Sequence, residues 1–239
     1  MTTLFISDLH LDESRPAITR AFFDFLDQKA ANADALYILG DFFEVWVGDD
    51  DDAPFNREIV ERLSQLQIPL YFMVGNRDFL VGEQFSRETG ATLLTDPSIV
   101  DLYGTPVLLM HGDSLCTSDT EYMAFRQQAR SPQWQEALLS KPLAERRAIA
   151  KQLREQSKSM NSLKAEDIMD VTPDEVVKVM TEAKVTTLIH GHTHRPDRHP
   201  LEIEGQAAER IVLGDWCKKL WWIEASSDGI ELCQQDIQE

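Results

Sequence analysis

Six short apolar runs along the chain end abruptly in polar residues: TLFISDLH, ALYILGD, PLYFMVGNRD, PVLLMHGD, TTLIHGHTH and RIVLGDW. Runs of this kind, bounded by Gly and Asp, read as buried strands. Helical patterns separate them. In SRPAITRAFFDFLDQKAA, Ser14 is placed as N-cap with Pro16 just inside, and Phe22, Phe25 and Leu26 fall at helical spacing. In TPDEVVKVMTEA, Thr172 is the N-cap, Pro173 the first helical residue and Glu175 the closing member of a capping box. Strand and helix in alternation predict an α/β fold, whose ligands gather beyond the carboxyl ends of the strands. The polar tails lie where a site belongs.

With 239 residues, 43% of them hydrophobic, the chain is within single-domain range. Cys116, Cys217 and Cys233 are odd in number and have no CxxC spacing, which argues against a disulfide framework or a thiolate metal site and fits a reducing compartment. The amino terminus enters a strand-like run directly, and no window approaches the ~20 apolar residues of a membrane span, so neither an export signal nor a spanning helix is expected. A net charge of −18 argues against a general nucleic-acid binder, which needs a basic footprint. The charge is uneven, however. From Arg126 to Lys164 stand nine basic residues against three acids.

The tails carry metal-ligand chemistry. Asp8 and His10 are two apart, Asp41 ends the second run, Asn76 and Arg77 the third, His111 the fourth, and His192 and His194 the fifth. Any one of these fits a hydrogen-bonded structural residue; five in a row point to metal. Oxygen ligands mixed with imidazole, without thiolate, suit Mn²⁺, Fe, Co or Zn²⁺ better than a pure Mg²⁺ or Ca²⁺ cage. His190, nearest the apolar run, reads as a packed or supporting histidine.

In their order, DxH, GD, GNRD, H and GHTH resemble the motifs of the calcineurin-like metallophosphoesterases, over nearly the whole chain. The longer segments FISDLHL, ALYILGDFFEVWVGDD, GNRDFL, LLMHGDSLCT, IMDV and LIHGHTHRP are similar to the branch of that family that acts on UDP-2,3-diacylglucosamine in the lipid A pathway. The resemblance implies an α/β sandwich of two mixed β-sheets flanked by helices. It implies two divalent ions, Mn²⁺ foremost, one held by Asp8, His10, Asp41 and His194 and the other by Asp41, Asn76, His111 and His192, with Asp41 bridging. The reaction it implies is cleavage of the substrate's pyrophosphate to 2,3-diacylglucosamine 1-phosphate and UMP, water attacking the α-phosphorus. Asp41, Asn76, Arg77 and His192 would be catalytic, and Asn76, Arg77, Asp119, Ser157, Asn161, Lys164 and His192 would meet the substrate. Peripheral contact with the anionic cytoplasmic face of the inner membrane is implied as well, with no nucleic acid and no obligate protein partner.

The residue chemistry is compatible with these roles. Two divalent ions exceed the charge of two carboxylates, so such a site stays positive and suits an anion. Metal binding lowers the pKa of water, and paired ions clamp an in-line displacement at phosphorus. Arg77 has two readings, a grip on non-bridging phosphate oxygens or a salt bridge to Asp78. The sugar phosphate leaves as a good anion, so no strong general acid is required, although His192 could assist.

A minimal enzyme of this kind has no need of the basic segment. It is predicted to be a helical insertion at about 119–170, through EYMAFRQQAR, PLAERRAIAKQLREQSKSM and NSLKAEDIMDV. Either it is a solvated addition or it caps a lipid. In the second reading Tyr122, Phe125, Trp134, Leu138, Leu139, Leu143, Ile149 and Leu153 line an acyl groove, while Arg and Lys face anionic headgroups at roughly 1 kcal/mol each. Ser157, Asn161 and Lys164 share one helix face. The acidic run Gly48 to Asp52 lacks EF-hand spacing and reads as a solvated loop. Trp46, Trp221 and Trp222 read as packing residues, His199 as exposed, and Cys116 as no nucleophile; the segment after VLGDW carries no usable motif. A phosphoesterase for soluble nucleotides and a non-catalytic scaffold are the rival functions, the second disfavoured by the complete ligand set.

Overall fold

The apolar runs become the inner strands of two β-sheets packed face to face. The computed structural model describes residues 1–161 and 170–238, side chains of 158–161 excepted. In chain order the elements are β1 (Thr3–Ile6), α1 (Pro16–Gln28), β2 (Ala35–Leu39), α2 (Pro54–Ser64), β3 (Leu70–Met73), α3 (Glu83–Thr89), β4 (Thr92–Leu94), β5 (Ser98–Leu102) and β6 (Thr105–Leu109). There follow α4 (Thr120–Ala129), α5 (Pro132–Leu139), α6 (Leu143–Asn161), α7 (Pro173–Ala183), β7 (Thr187–His190), β8 (Asp197–Ile203), β9 (Gln206–Val212), β10 (Lys219–Ser226) and β11 (Gly229–Asp236). One sheet has the order β11-β10-β1-β2-β3-β4, the other β5-β6-β7-β9-β8. Both are mixed: β1 to β4 are parallel and β10 and β11 antiparallel, while β6, β7 and β9 are parallel between antiparallel edges.

Alternating side chains divide the core into layers. Phe5, Tyr37, Leu39 and Met73 of the first sheet meet Val107, Leu109, Ile189 and Ile211 of the second. Their neighbours Leu4, Ile6, Leu36, Ile38 and Phe72 point outward against Phe22 and Phe25 of α1, Ile59 and Leu63 of α2 and Phe85 of α3. On the far side Leu108 and Leu188 pack against Val176 and Met180 of α7. Central strands are thus covered on both faces, which is why their sequences are continuous apolar runs. Each such buried Leu, Ile or Phe contributes ~1.5–3 kcal/mol. The parallel strands β1, β2, β3, β6 and β7 all run toward one rim, and their polar tails collect there.

Several local expectations need correction. Arg15, not Ser14, is the N-cap of α1, without a side-chain cap; Ser14 turns to Asp12. The Arg15 guanidinium instead donates to the carbonyls of Leu9 and His10, 3.2 and 3.1 Å away, and to that of Trp216. Thr172 does cap α7 in position, but its side chain makes no cap bond. Its hydroxyl accepts from Thr117 at 2.8 Å, and Glu175 pairs with Lys178, so no capping box closes. The acidic run is exposed at Asp50 and Asp52 but is tied down by specific partners. Asp49 accepts the N–H groups of Gly82, Gln84 and Phe85, each at 3.0 Å, where α3 begins. Asp50 pairs with Arg146, and Asp51 and Asp52 with Arg147. Arg146 is only 3% exposed, and a cation so buried requires a counter-charge. The segment after VLGDW, silent in sequence, folds into the β10–β11 hairpin whose β10 pairs with β1.

Candidate metal centre

Beyond their last strand residues the first two tails remain zipped together. Asp8 N–H donates to Gly40 O at 3.1 Å, His10 N–H to Asp41 O at 3.0 Å, Leu11 N–H to Phe42 O at 2.8 Å and Glu44 N–H to Leu11 O at 3.0 Å. Within this frame the site residues adopt an unusual backbone. Asp8, His10, Asp41, His192 and His194 all have positive φ, between 49° and 66°, a region that non-glycine residues visit rarely and that clusters at functional sites. Close approach demands glycine beside them. A Cβ on Gly75 would lie 2.3 Å from Asp41 Oδ1, and one on Gly191 2.2 Å from Asp8 Oδ2.

Two clusters result, Asp8 with His10 and His194, and Asp41 with His111 and His192, the ligand atoms in each within 4.8 Å of one another. In the first, His194 Nε2 is 3.4 Å from Asp8 Oδ1 and 3.3 Å from His10 Nε2. In the second, Asn76 Oδ1 lies 3.0 Å from His111 Nε2 and 2.8 Å from His192 Nδ1. Asp41 faces both: Oδ2 is 4.0 Å from His10 Nε2 and Oδ1 is 3.6 Å from His111 Nε2.

The donor set fits a pair of cations. Asp8 Oδ2 is anchored by Ser7 Oγ–H at 2.5 Å and by His192 N–H at 2.9 Å, whereas the buried Oδ1 has, among the described residues, no aligned hydrogen bond and faces His194 Nε2 at 3.4 Å. His111 Nδ1 donates to Leu39 O at 2.8 Å, so its Nε2 lone pair is turned toward a carboxylate and an amide oxygen, an arrangement that calls for a positive charge between them. Protonation tells the same story. Burial opposes charge on His111, yet Asp41, Asp113 and Asp8 outweigh it and push its pKa up to about 9; His194, also opposed by burial, is raised to about 9 by Asp8. Burial likewise works against the Asp8 carboxylate, but His194, His111 and His10 hold it below the usual range. Burial raises Asp41, with His111 and His10 opposing. Burial and neighbouring His111 press His192 down to about 4.

The sequence profile of the calcineurin-like phosphoesterases matches residues 1–196. The chain belongs to this family. It is 60% identical to a protein of Cellvibrio japonicus over 99% of this chain and 100% of that one. It is 57% identical to one of Marinobacter nauticus over 95% of each, and 56% identical to one of Pseudomonas aeruginosa over 96% of this chain and 97% of the relative. All three are UDP-2,3-diacylglucosamine hydrolases by name.

Around this phosphoesterase centre the remaining residues sort as follows. Arg77 is not paired with Asp78, which is buried and accepts the N–H groups of Phe42 and Gly75 at 2.8 and 2.7 Å. Its N–H donates to Asp41 Oδ1 at 2.8 Å and its Nε lies 3.8 Å from Asp41 Oδ2. A cavity of about 200 Å³ adjoins the centre, with Asn76, Arg77, Tyr122 and Ser157 in its wall. Phe125, Trp134, Leu138, Ile149 and Leu153 line it from the insertion, but Leu139 is exposed and Leu143 is not in the wall. Sequence reasoning missed the facing wall, Val45, Trp46, Val47, Phe79 and Leu80, because these follow the strands as ordinary apolar residues. Tyr122, expected in the acyl groove, stands in the wall at its metal end: its ring lies 5.8 Å from that of His192 and its hydroxyl donates to Asp113 at 2.7 Å. Arg126 also pairs with Asp113.

Asp119 caps α4 by accepting Tyr122 N–H at 3.0 Å and is not in the cavity wall. Asn161 ends α6, its side chain, like all of Lys164, outside the described residues. His190 is buried beside Arg210, 3.1 Å away, and lies in neither cluster. Burial pushes the Cys116 thiol up to about 12, an inert group. Trp46 and Trp222 are buried packing residues and Trp221 is half-buried; His199 is half-buried rather than exposed.

Proposed function

We propose that this chain hydrolyses the pyrophosphate of UDP-2,3-diacylglucosamine to 2,3-diacylglucosamine 1-phosphate and UMP, a step of lipid A biosynthesis, with two divalent ions, Mn²⁺ foremost. The reading is carried by one juxtaposition: an apolar cavity with room for acyl chain opens beside two Asp/His clusters, and Asn76, Arg77 and Tyr122 belong to its wall. The names of the relatives point the same way.

Asp8, His10, Asp41 and His194 would hold one ion and Asp41, Asn76, His111 and His192 the other, Asp41 giving one oxygen to each. When bound, such a pair lowers the pKa of water and clamps oxygens of the reacting phosphate. The chain's own residues set the rest. Arg77, kept beside Asp41 by its backbone N–H, presents a fork of donors to non-bridging oxygens where negative charge grows. Burial and neighbouring His111 favour neutral His192, the form a ligand needs, and the sugar phosphate is a good leaving anion that requires no strong general acid. Tyr122 and Ser157 flank the route from centre to cavity, and α4, α5 and α6 would form the cap over the acyl chains, residues 162–169 of the insertion at about 119–170 lying outside the described residues. Peripheral association with the inner face of the cytoplasmic membrane belongs to this proposal through the lipid part of the substrate. No helix among the described residues is long and apolar enough to cross a membrane.

A Mn²⁺-loaded preparation offered UDP-2,3-diacylglucosamine beside a soluble UDP-sugar tests the reading. Burying only ~4 methylenes at ~0.8 kcal/mol each corresponds to more than ~10²-fold in affinity. A preference of that order for the acylated substrate, with UMP as product, is expected. Equal kcat/KM for the two substrates would leave a phosphoesterase for soluble nucleotides.

A further inference from the structure

His10 differs from His111 and His192 in what faces its Nδ1. The Nδ1 of His111 is fixed by the backbone carbonyl of Leu39, and that of His192 faces the Asn76 amide. The Nδ1 of His10 lies 3.1 Å from Glu44 Oε2. The approach is an ion-pair distance without hydrogen-bond alignment; because a carboxylate oxygen only accepts, it favours the His10 tautomer with the proton on Nδ1, whose Nε2 faces His194 and Asp41 at 3.3 and 4.0 Å. The other oxygen of Glu44 accepts from Arg154 of α6.

Glu44 is itself held in place. Its N–H closes the backbone ladder that joins the first two tails, 3.0 Å from Leu11 O, so carboxylate and imidazole ride on one rigid frame. It stands at a boundary, shared by the apolar cavity and by a polar recess formed with His10, Arg77, Arg154 and His194. The helix that supplies Arg154 also supplies Ile149, Leu153 and Ser157 to the cavity wall.

We propose that Glu44 is a positioning residue for the metal position formed by Asp8, His10 and His194, setting the tautomer and direction of His10 and tying that position to α6 through Arg154. The inference rests on the dinuclear reading above. A carboxylate behind a ligating imidazole fixes the ring and raises its basicity, and its loss typically lowers metal affinity ~10–100-fold. Only one of the two positions has this support. The other takes its orientation from backbone and amide groups, so its affinity is independent of Glu44.

Metal-stripped wild type, Glu44→Ala, Glu44→Gln and Arg154→Gln are to be titrated with Mn²⁺ by calorimetry and electron paramagnetic resonance. Two ions bind the wild type. In Glu44→Ala one of them binds ~10–100-fold more weakly while the other is unchanged, and Glu44→Gln, whose amide oxygen still accepts from His10, shows a smaller loss at the same position. Mn²⁺ also slows amide exchange along residues 149–157 of the wild type but not of Arg154→Gln. Wild-type affinity for both ions in the two Glu44 variants overturns the proposal, as does equal loss at both positions, which would mean general loosening. Should the alanine variant not fold, unchanged affinities in Glu44→Gln suffice to overturn it. A wild type that binds no Mn²⁺ defeats the metal reading itself and this inference with it.

Discussion

Asp41 is the residue on which both clusters depend, one oxygen directed to each. Asp41→Ala is therefore expected to abolish binding of both ions and nearly all activity. Arg77→Ala leaves the backbone N–H on Asp41 in place and removes the guanidinium proposed to meet the substrate, so it should keep two bound ions while kcat falls on the order of 10² to 10³, the cost of removing one preorganised donor. Metal content by elemental analysis beside steady-state kinetics separates the two; wild-type turnover in metal-replete Arg77→Ala would refute its role. Titration supplies a second prediction. In the metal-free protein His111 and His194 have pKa values of about 9 against an ordinary 6.5, so the folded state binds their protons more tightly than the unfolded. That stabilisation is complete below pH 6.5 and is lost as pH rises through about 9. Bound cations displace those protons. Thermal melts of the metal-free protein should fall across this window and those of the Mn²⁺-loaded protein should not; parallel curves would contradict the assigned ionisation. The identity of these residues was legible in sequence, because each stands at the end of an apolar run. Their left-handed backbone was not, since it arises from the zipped tails and from Gly75 and Gly191 pressed against them.

Among the elements, α6 shows most clearly what sequence leaves open. Its helicity and its apolar face were readable from composition and spacing, and Ile149 and Leu153 do reach the cavity. Its docking was not readable. Arg146 and Arg147 find Asp50, Asp51 and Asp52 nearly a hundred residues away, and with 41 acids and 23 basic residues in the chain spacing alone does not select the partners. The acidic run therefore read as solvated, and the arginines as lipid-facing. What α6 presents to the cavity is apolar, and that side can be tested. Phe125→Ser and Leu153→Ser should each raise KM for the diacylated substrate by roughly 10-fold or more, the equivalent of ~2 kcal/mol of lost apolar contact, while leaving hydrolysis of a small phosphodiester nearly unchanged. Equal losses on both substrates would make the insertion a purely structural addition.

At the scale of the whole molecule, charge bears on how a lipid substrate is reached. The nine basic residues between Arg126 and Lys164 suggested a patch for anionic headgroups at roughly 1 kcal/mol per exposed residue. Among those whose side chains are described, six have partners within the chain: Arg126 on Asp113, Arg130 on Gly75 O and Asp113, Lys141 on Glu145 at the surface, Arg146 and Arg147 on the acidic run, and Arg154 on Glu44. An ion pair offers little field to a distant surface, and the chain as a whole carries −18, which anionic lipid repels. Under the proposed function, recruitment would then rest on the acyl chains of the substrate entering the cavity and not on headgroup attraction. Two consequences can be measured by vesicle sedimentation. Without substrate, binding to vesicles rich in anionic lipid should be no stronger than to zwitterionic ones, and raising salt should increase it slightly, because screening weakens a net repulsion. Adding the diacylated substrate to the bilayer should raise binding in both kinds of vesicle, and Leu153→Ser should blunt that rise. Strong binding to substrate-free anionic vesicles that salt abolishes would instead show that the basic segment reaches the headgroups despite its internal pairs.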